Sequence, residues 1–157
     1  TPLISDTQLK RVSNYCKSGV QSGANVLVGG DIHENTEGNY FAPTIFDNVD
    51  PYSTIGQEEI FGPVTSIMDF QNDDEAIEIA NSTDYGLASG VFTSDDQKAK
   101  WTAERIQAGV IWHNDWMVDG INLPGGGYKK SGYGRDGGIE GVFSYGQTKR
   151  VSKRLSV

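Results

Sequence analysis

The spacing of apolar residues divides the chain into a sequence of short elements. Leu9, Val12 and Cys16 recur at helical spacing with polar residues between them, so residues 5–22 are expected to form a helix. Ser5 or Asp6 is placed to cap its start, and Gly19 and Gly23 mark its end. Residues 25–28 (NVLV) suit a strand closed by Gly29-Gly30. The turn chemistry of Glu37-Gly38-Asn39 precedes a second, alternating strand over residues 40–49, with Pro43 demanding an edge position or a break.

From Pro63 onward the pattern alternates between strand and helix. Residues 64–70, 87–93 and 110–113 predict strands, and residues 73–81 and 95–107 predict helices, with Ala76, Ile77 and Ala80 on one face of the first. Strands separated by helices at this spacing pair in parallel through right-handed crossovers. The expected fold class is therefore α/β, an open, mostly parallel sheet with helices on both faces. Residues 117–138 lack periodicity and are rich in glycine, at positions 120, 125, 126, 127, 132, 134, 137 and 138. A loop of that length inside a compact domain is usually functional. A short helix near residues 139–145 and a final strand over residues 148–157, carrying Lys149, Arg150, Lys153 and Arg154, complete the chain.

Composition narrows the function classes. A formal charge of −8 excludes the basic footprint of a nucleic-acid binder. No apolar run approaches the ~18 residues of a membrane span, and the start of the chain has no secretory pattern, so a cytoplasmic protein with no membrane partner is expected. Cys16 is the single cysteine, which excludes an internal disulfide, and with only His33 and His113 beside it a structural zinc site is not expected. Cys16 sits on the apolar face of the first helix and is rejected as a nucleophile. His113 has no partners for a catalytic triad. The first residue is Thr1 rather than Met, and the chain is expected to be cut from something longer.

Three segments are candidates for chemistry. In Glu58-Glu59-Ile60-Phe61-Gly62-Pro63-Val64, carboxylates stand beside an aromatic residue at a turn. A carboxylate there can accept hydrogen bonds from ribose hydroxyls and a ring can lie against a heterocycle. The competing reading is an acidic surface turn with a core phenylalanine. Residues 124–136 (PGGGYKKSGYGRD) invite comparison with a phosphate-binding loop but fail its template, because Lys129 replaces the glycine before Lys130-Ser131. A tight backbone crossing made possible by glycine is the preferred reading there. Trp112-His113-Asn114-Asp115-Trp116 lies where a strand meets the long loop. Ligands bind at such carboxyl ends in open α/β sheets, and Trp116 is placed either to wall a pocket or simply to pack.

Four motifs in order, Gln57-Glu58-Glu59-Ile60-Phe61-Gly62-Pro63-Val64, Tyr85-Gly86-Leu87-Ala88-Ser89-Gly90-Val91-Phe92, Gly109-Val110-Ile111-Trp112-His113-Asn114 and Pro124 to Arg135, resemble the aldehyde dehydrogenase superfamily, its betaine-aldehyde-type members most closely. The resemblance covers essentially the whole chain. It implies the C-terminal part of the catalytic domain over residues 1–147 and an oligomerisation strand over residues 148–157. It further implies an NAD(P)-dependent oxidation of an aldehyde, betaine aldehyde among the candidates, to the carboxylic acid. A cysteine thiolate attacks, and a glutamate later activates water. In the family that cysteine, that glutamate and the oxyanion asparagine lie upstream of the part matching Thr1, so this chain is expected to be inactive alone. By resemblance, Glu59 holds the nicotinamide ribose, Phe61 positions the nicotinamide and Trp116 belongs to the aldehyde pocket. The carbonyls of Lys129 and Gly132 match a potassium site. Asp136 matches a proton-relay acid that is usually glutamate, one methylene longer. Many betaine-aldehyde-type members carry glutamate where Asn122 stands, and Asp119 is the nearby acid. The family's last strand pairs with a neighbouring subunit, so a homo-oligomer through residues 148–155 is expected. The alternative is a non-enzymatic assembly or regulatory module derived from the same family.

Overall fold

The computed structural model describes residues 2–32, 37–118 and 120–155, which form two compact units, residues 1–83 and 84–157. His33 and Asp119 lie outside the described residues. The fold is α/β, with short sheets of both parallel and antiparallel pairs.

The first unit opens with helix α1, Asp6–Gln21. Ser5 caps it by accepting from the Gln8 amide at 3.2 Å. Its buried face is Leu9, Val12, Cys16 and Gly19, and the chain leaves the helix through Gly23 at φ +93°. Strand β1, Asn25–Val28, pairs antiparallel with β2, Thr44–Asp47, which pairs parallel with β3, Val64–Ser66. Helix α2, Thr54–Gln57, lies between β2 and β3 in the chain, and helix α3, Asp73–Asn81, follows β3. The start of α3 is capped by Asn72 and carries Asp73, Asp74 and Glu75 where the helix dipole favours negative charge. The core collects Leu9, Val12, Cys16, Ala24, Phe41, Phe46, Val49, Ile55 and Ile60. Thr44 is buried in that core but satisfied, donating to the Ala42 carbonyl at 2.8 Å and accepting from the Gly30 amide at 2.9 Å.

In the second unit, β4 (Tyr85–Gly86) pairs antiparallel with β7 (Tyr128–Lys129). Strands β5 (Ala88–Val91) and β6 (Val110–His113) pair in parallel, in register from Ala88 with Val110 to Val91 with His113. Helix α4, Asp96–Ala103, makes the crossover between them, capped by Asp95, which accepts from the amides of Gln97 and Lys98. Helix α5, Gly138–Ser144, follows the glycine-rich segment.

Several boundaries differ from the sequence expectation. The strand expected over residues 40–49 begins only at Thr44, because Pro43 has no N–H to donate to a ladder. The helix expected over residues 95–107 ends at Ala103. Among the described residues the strands form three small sheets, and β2–β3 and β5–β6 are parallel pairs, in keeping with the expected α/β class. Residues 148–155 are exposed and form no strand within the chain. Among the described residues, no helix is long and apolar enough to cross a membrane.

Candidate functional site

The Glu58–Gly62 loop of the first unit is built on α1. Ile60 is its anchor, buried in the core at 8% exposure. With that side chain directed inward, Phe61 takes φ +56°, a left-handed conformation that costs a non-glycine residue about 1–2 kcal/mol. The result is a ring that is 70% exposed. Phe61 is therefore exposed rather than the core phenylalanine that the acidic-turn reading expected. Glu59 is also exposed, and among the described residues no hydrogen bond or ion pair engages its carboxylate.

Four side chains of α1 meet this loop. Gln8 donates its amide to the carbonyls of Ile60 (3.2 Å) and Phe61 (2.9 Å). The Arg11 guanidinium donates to the Glu59 carbonyl at 3.2 Å and to the Tyr15 hydroxyl at 3.2 Å. The Tyr15 hydroxyl donates in turn to the Glu58 carboxylate at 2.7 Å, and that bond holds the phenol above its usual pKa. A methyl group on Gly62 would come within 2.6 Å of Val12 Cγ2, so only glycine lets the chain lie this close to the helix. A cleft of about 540 Å³ beside the loop is lined in part by Lys10, Arg11, Tyr15 and Glu58. Gln8, Arg11 and Tyr15 belong to no sequence motif. Their only signal was a shared helical face with Val12.

Cys16, on the buried face of α1, is 2% exposed, and burial, reinforced by the charge of Asp31, pushes its thiol up to about 11. It is a core residue, as expected.

The other sequence candidates lie in the second unit. At the carboxyl ends of β5 and β6, Asn114 ties the two strands together. It donates to the Thr93 carbonyl at 2.7 Å and accepts from the Thr93 amide at 2.8 Å, while its own amide donates to the Val91 carbonyl. Asn114 ends the Gly109–Asn114 motif, whose residue types give it no role by themselves. Trp116 follows, 58% exposed, with its ring centroid 5.1 Å from that of Trp112 and its edge over Gly90. Trp112 donates its indole N–H to the Val118 carbonyl at 3.0 Å. Alongside β6 lies a cavity of about 830 Å³ whose walls include Trp112, Ile121, Pro124 and Asp136. Trp116 packs on Trp112, and Trp112 rather than Trp116 lines this cavity among the described residues.

The glycine-rich segment is a backbone crossing rather than a phosphate loop. A side chain at Gly109 would collide with the Gly126 carbonyl, and one at Gly127 with the backbone of Ser131. Lys130 is committed to Asp84 at 2.6 Å, and Ser131 accepts from the Gly86 amide at 3.0 Å. Asp136 bridges to Gly125 through paired backbone hydrogen bonds. Lys129 holds φ +53°, and its carbonyl accepts from the Gly132 amide at 3.3 Å across a tight turn. Lys129 and Gly132 are thus brought together. Glu59 and Phe61 belong to the first unit, and Trp116, Lys129, Gly132 and Asp136 to the second.

A sequence model described as the aldehyde dehydrogenase family matches residues 1–151. The chain belongs to the aldehyde dehydrogenase family. It is similar to the P. syringae indole-3-acetaldehyde dehydrogenase AldA, solved as a mutant with NAD+ and IAA, at 42% identity and a TM-score of 0.87, covering 92% of this chain and 29% of that one. An NAD-dependent aldehyde dehydrogenase from Sinorhizobium meliloti matches at 42% identity and a TM-score of 0.89, over 93% of this chain and 29% of that one. Betaine aldehyde dehydrogenase from Staphylococcus aureus, solved with NAD+, matches at 38% identity and a TM-score of 0.87, over 92% of this chain and 29% of that one. This aldehyde dehydrogenase chain therefore spans less than a third of the length of these relatives. The four ordered motifs that carried the resemblance all fall within the matched residues.

Proposed function

We propose that this chain is the C-terminal part of an NAD-dependent aldehyde dehydrogenase, to which it contributes one side of the nicotinamide-ribose site and part of the aldehyde pocket. The observation that carries this reading is the Glu58–Gly62 loop. A buried Ile60 and a left-handed Phe61 leave the Glu59 carboxylate and the Phe61 ring, two positions apart in the chain, both exposed to a ligand. A dinucleotide fits that pair: Glu59 accepts from ribose hydroxyls while Phe61 offers a flat face to the nicotinamide. When bound, the nicotinamide is the hydride acceptor. The chain's own residues orient it and hold the ribose. The thiolate nucleophile belongs to the remainder of the enzyme, since Cys16, the single cysteine, is buried in the core, and the family resemblance places the water-activating glutamate there as well.

The second unit supplies subordinate parts of the same reading. Trp116 walls the aldehyde pocket, Asp136 serves as the relay acid beside β6, and the carbonyls of Lys129 and Gly132 hold potassium. Asn122 in place of an acid favours an uncharged aldehyde over a cationic one such as betaine aldehyde. Residues 148–155, exposed and unpaired in the single chain, pair with a second subunit. A thin core supports the view that this unit folds against more protein. Ala99 and Ala108 are its buried hydrophobic residues among those described, while Leu87, Ile121, Leu123, Val142 and Phe143 are exposed.

The test is aldehyde-dependent NADH formation by the full reading frame and by this chain alone, with betaine aldehyde, aminoaldehydes, succinic semialdehyde and aliphatic aldehydes, in potassium and in sodium buffers. Turnover by the full protein alone is expected. Glu59→Gln in it should raise the KM for NAD+ by about 10-fold or more, the worth of a hydrogen bond to a charged group. Turnover by the isolated chain would overturn the assignment of the nucleophile elsewhere. Activity from neither would favour the non-enzymatic assembly module.

A further inference from the structure

We propose that Gln8, Arg11 and Tyr15 are positioning residues: one face of α1 fixes the geometry of the Glu59–Phe61 pair, and cofactor affinity depends on that face. The inference rests on the cofactor reading above and deepens it.

Residues 8, 11, 12 and 15 follow helical spacing and so project from one side of α1. Each residue of the loop is held by one of them. Glu58 is held through its carboxylate by Tyr15, and Glu59 through its carbonyl by Arg11. Ile60 and Phe61 are held through their carbonyls by the Gln8 side-chain amide, and Gly62 lies so close to Val12 that no Cβ fits between them. The bonds to residues 59–61 go to backbone rather than to the presented groups. They therefore orient Glu59 and Phe61 while leaving their side chains free.

The loop needs such support because Phe61 is in a left-handed conformation at φ +56°. Residues in that region persist only when their surroundings over-determine them. Gln8 supplies that determination at Phe61 itself, donating at 2.9 Å to its carbonyl, while buried Ile60 fixes the preceding residue. Without the Gln8 amide, Phe61 is free to relax toward ordinary backbone angles, which would swing the ring and the neighbouring carboxylate away from their shared ligand. A ligand would then have to restore the arrangement on binding, and the apparent affinity falls by the fraction of molecules in the competent state.

The experiment is a double-mutant cycle in the full-length enzyme, with Gln8→Met, Phe61→Ala and the pair. Gln8→Met keeps the length and packing of the side chain and removes both donors. The expected result is a rise of about 3- to 30-fold in the KM for NAD+ from Gln8→Met, with kcat at saturating NAD+ changed less than about 2-fold. In the Phe61→Ala background Gln8→Met is expected to raise KM by a smaller factor than in the parent, because the share carried by the ring is already lost while Gln8 still orients Glu59 through the backbone. Tyr15→Phe, which deletes only the hydroxyl, should give a smaller rise of the same kind and serves as the second variant if Gln8→Met is poorly folded. A purely structural role would lower the active fraction and leave KM unchanged, which would overturn the proposal. So would full additivity of the two substitutions, which would mean that Gln8 contacts the ligand directly. If Phe61→Ala and Glu59→Gln themselves leave the KM for NAD+ unmoved, the cofactor reading fails and this inference fails with it. An effect of those two with Gln8→Met and Tyr15→Phe silent overturns only the inference.

Discussion

Replacing Gly62 by alanine probes a close approach between α1 and the Glu58–Gly62 loop. The new methyl would lie 2.6 Å from Val12 Cγ2 and 3.1 Å from Val12 Cγ1, against roughly 3.5–4.0 Å for a comfortable carbon–carbon contact. Val12 is fully buried, and a valine in a helix has one strongly preferred rotamer, so the side chain cannot turn away. The loop must therefore lift by several tenths of an ångström or the core must shift, at a cost of about 1–3 kcal/mol for overpacking. Gly62 does not use a positive φ, so alanine also restricts the unfolded chain and recovers about 0.4–1 kcal/mol. The steric cost is the larger, leaving a net loss of about 1–2 kcal/mol. Urea denaturation should show a lower midpoint with an unchanged slope, and the KM for NAD+ should rise as the Gln8 and Arg11 hydrogen bonds lengthen. The decisive arm is the double variant with Val12→Ala. Val12→Ala alone removes two methyl groups from the core and should cost about 2–3 kcal/mol. In that background, however, Gly62→Ala should cost nothing or add stability, because the methyl enters the space vacated. Equal costs of Gly62→Ala in both backgrounds would refute the reasoning, as would no cost in either.

Phe61→Gly should be more stable than Phe61→Ala by about 1 kcal/mol in the same denaturation assay, because glycine occupies φ +56° without strain; the opposite order would show that the left-handed backbone is not retained. Asn114→Ala removes both hydrogen bonds to Thr93 and should destabilise by about 1–2 kcal/mol, with Asn114→Asp, which keeps only the acceptor, falling between. Cys16 makes the fold sensitive to alkaline pH. Its thiol ionises near 9 when unfolded but is held protonated to about 11 when folded. The stabilisation is therefore fully present below pH 9 and lost as pH rises toward 11. Stability measured from pH 8 to 11 should fall less steeply in Cys16→Ala than in the parent, and native Cys16 should resist alkylation at pH 8 until the protein is denatured.

The sequence alone determined most of the local structure, because it depends on near neighbours. The Ser5 cap and the Leu9, Val12, Cys16 face specify α1, and the Asn72 cap specifies α3 over its full expected length. β1 and β6 match their expected bounds. The burial of Cys16 followed from its place on an apolar helical face, and the failure of the phosphate-loop template followed from Lys129 standing where glycine is needed. Strand partners were not legible in this way, because pairing is a contact between distant segments. The order β1-β2-β3 and the pairs β4-β7 and β5-β6 could be read only from the fold. The site divides along the same line. Glu59 and Phe61 could be named from residue type and resemblance, but whether Phe61 was core or surface depended on Ile60 occupying the core and on the backbone turning left-handed behind it. The hold of Gln8, Arg11 and Tyr15 on that loop spans separations of about 43 to 53 residues and uses ordinary polar side chains whose types announce nothing. Only when the tertiary fold lays the loop along α1 do those side chains acquire partners.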